Sequence, residues 1–194
     1  MTKSRLEAFS DGVLAIIITI MVLELKIPHE PTLKALWSLA PVFTSYVLSF
    51  VYVGIYWGNH HHLLHTAHRV SSRLIWSNMA LLFFLSLIPF TTGWMGENHF
   101  DKIPVATYAF NLLCCAIAFY LLQQTIQPDL KQSTKLTEAL KKQEKKGILS
   151  LIIYLVSIPC ALYYPFISAL LFVLTAIMWV IPDKNIERAL KDSD

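Results

Sequence analysis

An all-α membrane protein with six transmembrane helices, N-terminus and C-terminus both inside, is the fold class this sequence predicts, and three observations predict it. Hydrophobic residues make up 55% of the 194 positions and charged residues 15%, and the apolar ones fall in uninterrupted blocks of the length a hydrocarbon core requires. With the N-terminus in the cytoplasm, every Lys and Arg except Lys26, Lys34 and Lys102 lies inside, the asymmetry that insertion favours. Trp37, Trp57, Trp76, Trp94 and Trp179 fall near block ends, where an amphipathic ring prefers the headgroup boundary.

Apolar runs bounded by charge, Pro or Gly place helices at about 6–25, 33–60, 74–94, 105–124, 148–163 and 165–181. The first is longer than a signal-peptide core and lacks a small-residue cleavage site, so it reads as a retained helix. Pro159, Tyr163, Tyr164 and Pro165 leave the last two blocks open to a second description, as one broken helix. The whole chain, 1–194, reads as one transmembrane domain with a cytoplasmic loop at about 128–147. Within that loop, KQSTKLTEALKKQEKKG (131–147) reads either as a short helix on the anionic inner leaflet or as a solvated connection. Cys114, Cys115 and Cys160 sit inside apolar blocks without metal-type spacing and read as packing residues.

At 100° per residue Arg5, Ala8, Gly12, Ile16, Thr19 and Leu23 share one narrow stripe, small and polar toward the cytoplasm and then apolar with a single hydroxyl. Such a stripe suits close approach of helices around an axis; taken alone, it is also what ordinary transmembrane packing produces. Asp11 lies roughly 100° round from the stripe and so faces a neighbouring helix. An ionisable group at that depth needs partners. At its height the topology places Asn59, His60, His61, Arg73, Trp76 and Asn78, and the expectation is a carboxylate that locks three helices together.

His60, His61, His62, His65 and His68 include i,i+4 and i,i+3 pairs that could share a metal on one helical face, yet no carboxylate or Cys follows at ligand spacing and the run is expected to pass the helix end into a loop. The expectation is no metal site. A hydrolase site needs a nucleophile or activated water beside an oriented base, and no HExxH-type pairing is present, so no catalytic residues are assigned and the chain does not read as an enzyme. Nothing beyond the lysine-rich loop speaks for nucleic acid, and none is expected as a partner.

Two segments resemble a known family. RLEAFSD (5–11) fits an RxxxFSD signature at the start of a first helix, and WGNHHHLL (57–64) resembles the W-x-N-H-H segment that ends the second helix, in the endosomal/lysosomal potassium channel family known as transmembrane protein 175. The resemblance implies a potassium-permeable channel without a re-entrant pore loop, its first helices lining the central pore of a homo-oligomer. By position the constriction then falls at Ile16, with Thr19 and Leu23 on successive turns outward and Gly12 on the cytoplasmic side. Arg5, Phe9, Ser10 and Asp11 occupy the signature positions that brace the pore helix. One repeat per chain implies several copies, a homotetramer of the short prokaryotic form, in the plasma membrane with the bilayer as surroundings. No cofactor is implied; potassium is the permeant ion. The alternative is a proton-coupled secondary transporter of cations, for which Pro89 and Pro159 offer possible helix breaks but no mid-span acid.

Overall fold

The computed structural model describes residues 2–67, 69–126 and 134–180, with the backbone alone for 134–141. His68 and the tail from 181 onward, including Lys184, Arg188 and Lys191, lie outside the described residues, as do Lys131 and the side chains of Lys135 and Lys141.

The described residues form eight helices: α1 (Lys3–Leu23), α2 (Leu33–Trp37), α3 (Ala40–His65), α4 (Ser72–Ser86), α5 (Ile88–Glu97), α6 (Lys102–Ile126), α7 (Thr134–Tyr163) and α8 (Pro165–Val180). Five segments are long and apolar enough to cross a membrane: α1, α3, the α4–α5 pair taken together, α6 and the 142–163 part of α7; α8 is a shorter apolar helix. Short polar side chains start several of them. Thr2, Thr32 and Ser71 each accept a hydrogen bond from the backbone N–H three residues on, which satisfies one of the donors a helix N-terminus leaves open.

Two expected helices are broken. The block at 33–60 divides into α2 and α3 around Ser38 and Leu39, and α3 continues to His65, so the histidine run from His60 to His65 is helical rather than looped. The block at 74–94 divides at Leu87 into α4 and α5. Pro41 and Pro89 explain both positions: each sits in the first turn of the helix it opens, where the missing N–H costs nothing. Of the two descriptions open for 131–147, the structure has the helix from Thr134 onward, and it runs without interruption into the fifth span instead of standing alone as a short element. Gln143 anchors that extension against α3 by donating from Nε2 to Asn59 Oδ1 at 3.0 Å, and Gln124 of α6 donates to Glu144. The last two blocks are two helices, turning at Tyr164, with Ser168 Oγ donating to the Ser157 carbonyl at 2.9 Å.

Packing places α6 at the centre, against α4, α5, α7 and α8. Helix α1 forms one edge of the bundle, packed on α3, α4 and α5, and the α7–α8 hairpin forms the other. Lipid tails are as apolar as leucine, so close approach and internal hydrogen bonds hold such helices together more than burial does. Gly96 shows the first: a Cβ there would meet Ser45 Oγ and stand 2.7 Å from Val42 Cα, so only glycine lets α5 lie this close to α3. A buried hydroxyl cluster shows the second, with Thr92 Oγ1 donating to Ser49 Oγ at 2.6 Å and Ser49 bonded in turn to the Tyr108 hydroxyl at 2.9 Å.

Candidate functional site

Helix α1 has two unlike faces. Leu6, Ser10, Leu14, Ile17 and Met21 are buried against the rest of the bundle, at the three- and four-residue spacing of one helical side. Arg5, Ala8, Gly12, Ile16, Thr19 and Leu23 are all exposed, Ile16 by 58% and Leu23 by 77%, and a Cβ placed on Gly12 would find no atom within 4 Å. The stripe is therefore largely uncovered in its own protomer, with Ile16 bordering a groove that it shares with Pro89 and Phe90 of α5. Thr19 Oγ1 donates back to the Ile16 carbonyl at 2.9 Å, which occupies its proton and leaves its lone pairs for an outside group. Glu24 is turned off this face, its carboxylate lying against Gly93 of α5. Below it, the Lys26 ammonium pairs with Glu97; that hydrogen bond first, and the charge second, hold the lysine pKa above its ordinary value. The lysine therefore stays charged through neutral pH, and its part in the pairing is lost as pH rises through that raised value.

The signature residues fan out around α1 as the helix turns. Arg5 and Phe9 are exposed, Ser10 is fully buried, Asp11 is half-buried at the edge, and Gly12 is open. Ser10 is the residue that reaches into the bundle. Its Oγ donates to the Leu6 carbonyl at 2.9 Å and accepts from Asn78 Nδ2 at 2.9 Å, while Asn78 Oδ1 is 2.6 Å from His60 Nε2. Since the Asn78 amide nitrogen is committed to Ser10, its oxygen is the acceptor, so His60 Nε2 carries the proton and donates. Ser10, Asn78 and His60 belong to α1, α4 and α3, and all three are essentially buried. This triad is the lock between three helices that the sequence placed on Asp11.

Asp11 itself is held differently. Its Oδ1 accepts from Trp57 Nε1 at 3.0 Å, so its partner is a residue outside the expected set and one that the sequence had grouped with the interfacial tryptophans. Of that set, His60 and Asn78 enter the lock just described. Asn59 turns the other way, donating to the Ile55 carbonyl and accepting from Gln143. His61 lies over Trp57 with ring centres 6.4 Å apart, and Arg73 and Trp76 are exposed. A tryptophan N–H can only donate and a carboxylate can only accept, so a Trp one turn inside an Asn-His-His run at the height of an acid was the available signal for Trp57. No group of three or more His, Cys, Asp or Glu able to hold a metal occurs among the described residues.

Comparison with known proteins places this arrangement. A family model described as endosomal/lysosomal potassium channel TMEM175 matches residues 5–89, the stretch holding α1 through the start of α5 and every residue of the lock. The chain is 49% identical over 193 residues, 100% of both chains, to a protein of Chryseobacterium sp. (strain P1-3) named a potassium channel. It is 30% identical over 131 residues to the endosomal/lysosomal proton channel TMEM175 of Bos taurus, an alignment covering 62% of this chain and 27% of that one. The crystal structure of a lysosomal potassium-selective channel TMEM175 homolog from Chamaesiphon minutus superposes with a TM-score of 0.83 at 26% identity, covering 92% of this chain and 96% of that one. With its apolar spans, its exposed α1 face and its three-helix lock, the chain belongs to the TMEM175 family of multi-pass membrane ion channels.

Proposed function

We propose that this protein is a potassium-permeable cation channel, a homotetramer in the plasma membrane of a prokaryote, with six spans per chain and both termini cytoplasmic. The observation that carries the reading is the exposure of one whole face of α1, Ile16 and Leu23 included, in a helix whose opposite face is packed shut. Cyclic symmetry turns such a face into the wall of a shared axial path. The full-length relative and the homolog of known structure are named for potassium, whereas the animal relatives named for protons align over a part of their length; potassium is accordingly the ion proposed.

In this reading Ile16 forms an aliphatic ring that gates by dewetting and favours cations that give up water readily. Thr19, one turn outward, offers hydroxyl lone pairs in place of lost hydration, Leu23 narrows the path a further turn on, and Gly12 leaves the cytoplasmic side wide. The sequence holds no TVGYG segment, so a cage of filter carbonyls plays no part. Arg5, Phe9, Ser10 and Asp11 hold the cytoplasmic end of the helix, Ser10 and Asp11 through the bonds described above. Ile16→Asn tests the assignment in a planar bilayer with potassium and sodium on opposite sides. Conductance should rise and potassium preference weaken; unchanged permeability ratios would remove Ile16 from the pore.

A further inference from the structure

We infer that the conduction path has a preferred direction: the two ends of α1 carry opposite fixed charge, with Arg5 at the cytoplasmic mouth, so that potassium passes inward more readily than outward. This rests on the channel reading above and adds rectification to it. Arg5 stands on the exposed stripe about three turns before Ile16, and its side chain makes no hydrogen bond or ion pair among the described residues. A guanidinium keeps its proton at any working pH, so the charge is permanent.

The acids of α1 that could cancel it are turned aside. Glu7 lies on the far side of the helix and faces Lys3 at 4.0 Å, and Asp11 sits off the stripe, accepting from Trp57. The first turn of α1 holds no acid, and the helix N-terminus adds its own partial positive charge at the same end. At the other end the signs reverse. Glu24 caps α1 there; it is exposed, makes no ion pair among the described residues, and joins the partial negative charge of the helix C-terminus. Lys26 and Glu97 beside it pair with each other and leave Glu24 uncancelled. Between the two ends the stripe holds only Ala8, Gly12, Ile16, Thr19 and Leu23, none of which ionises.

The size of the effect follows from geometry and screening. In the proposed tetramer, helices of ordinary diameter packed around one axis set their Arg5 charges about 8 Å from it. At about 0.15 M salt the Debye length is about 8 Å, and one such charge per protomer lowers the potassium concentration at the cytoplasmic mouth about threefold. At about 1 M the Debye length falls to about 3 Å and the depletion nearly vanishes. Ions that enter from the cytoplasm cross this depleted zone before they reach Ile16, whereas ions that enter from outside meet the Glu24 carboxylates first. Outward current is therefore the smaller of the two.

The test is the current–voltage relation of the full chain in inside-out patches from cells that express it, with equal potassium chloride on both sides. At about 0.15 M salt inward current should exceed outward current about threefold, and at about 1 M the two should be nearly equal. Arg5→Gln should raise outward current and straighten the relation at low salt, Arg5→Lys should keep the asymmetry, and Arg5→Glu should invert it, which loss of a merely structural side chain would not do. Glu24→Gln should lower inward current by a smaller factor, because its carboxylate lies off the stripe against Gly93. A straight relation at low salt in the unaltered protein, an asymmetry indifferent to salt, or one that survives Arg5→Gln would overturn the inference while the potassium current itself stands. Absence of any potassium current would instead overturn the channel reading, and the direction with it.

Discussion

Asn78 is the residue on which the interior of the site turns. Replacing it with Leu removes the donor to Ser10 and the acceptor for His60 at once, leaving two buried polar groups to find other partners, at about 1–3 kcal/mol for each left unmet. Asn78→Leu should therefore lower stability by about 2–4 kcal/mol in a denaturing-detergent titration. Ser10→Ala should cost less, about 1 kcal/mol, since its bond to Leu6 is local and Asn78 keeps His60. Combining the two should fall short of their sum, because both act on one bond. Full additivity would mean that the Ser10–Asn78 bond contributes nothing. Asp11→Ala is expected to be milder than Asn78→Leu, as the Trp57 bond it breaks lies at the half-exposed edge of α1.

At the scale of elements, the close contact of α5 on α3 is where a single methyl matters most. Gly96→Ala pushes a carbon toward the Val42 backbone, which cannot step aside as a flexible side chain could. The expected loss is about 2–3 kcal/mol, read as a fall in thermal midpoint, whereas Gly93→Ala meets only the end of Glu24 and should be nearly neutral. If both alanines behave alike, the α3–α5 approach is looser than described. That the chain is built of long apolar helices was legible beforehand because bilayer thickness sets their scale, and the α1 stripe was legible because 100° per residue is geometry alone. The breaks at Ser38 and Leu87 were hidden: hydropathy runs through them unbroken, and a Pro inside an apolar block is tolerated in a membrane helix as readily as it opens a new one. Ser10 and Trp57 were hidden for another reason. Which of Ser10, Asp11 and Gly12 turns inward depends on where α3 and α4 dock, and a single sequence holds the height of each residue but not the side from which its neighbours come. The same limit left open whether 131–147 was a helix or a solvated connection, and hid that the helix continues into the fifth span, where Gln143 and Glu144 tie it to α3 and α6.

For the whole molecule, the decisive contrast is between the edge formed by α1 and the edge formed by α7 and α8. A protomer is indifferent to bulk on either, since Gly12 faces open space and Val173 on α8 is exposed. An assembly around α1 is not indifferent. Gly12→Trp adds an indole to every copy at the cytoplasmic end of the proposed path, and by symmetry all of them crowd the same axis. Potassium efflux from liposomes should fall about tenfold or more, while the melting behaviour of the protein stays near that of the unaltered chain. Val173→Trp adds the same ring at the opposite edge and should leave efflux intact. Native mass spectrometry of both variants separates the two ways the first can fail: a blocked pore keeps the mass of the unaltered assembly, and a pore too crowded to close around its axis sheds subunits. Either result places α1 at the centre of the assembly. Normal efflux from an intact Gly12→Trp assembly would instead put α1 on the lipid side, and with it Ile16, Thr19 and Leu23.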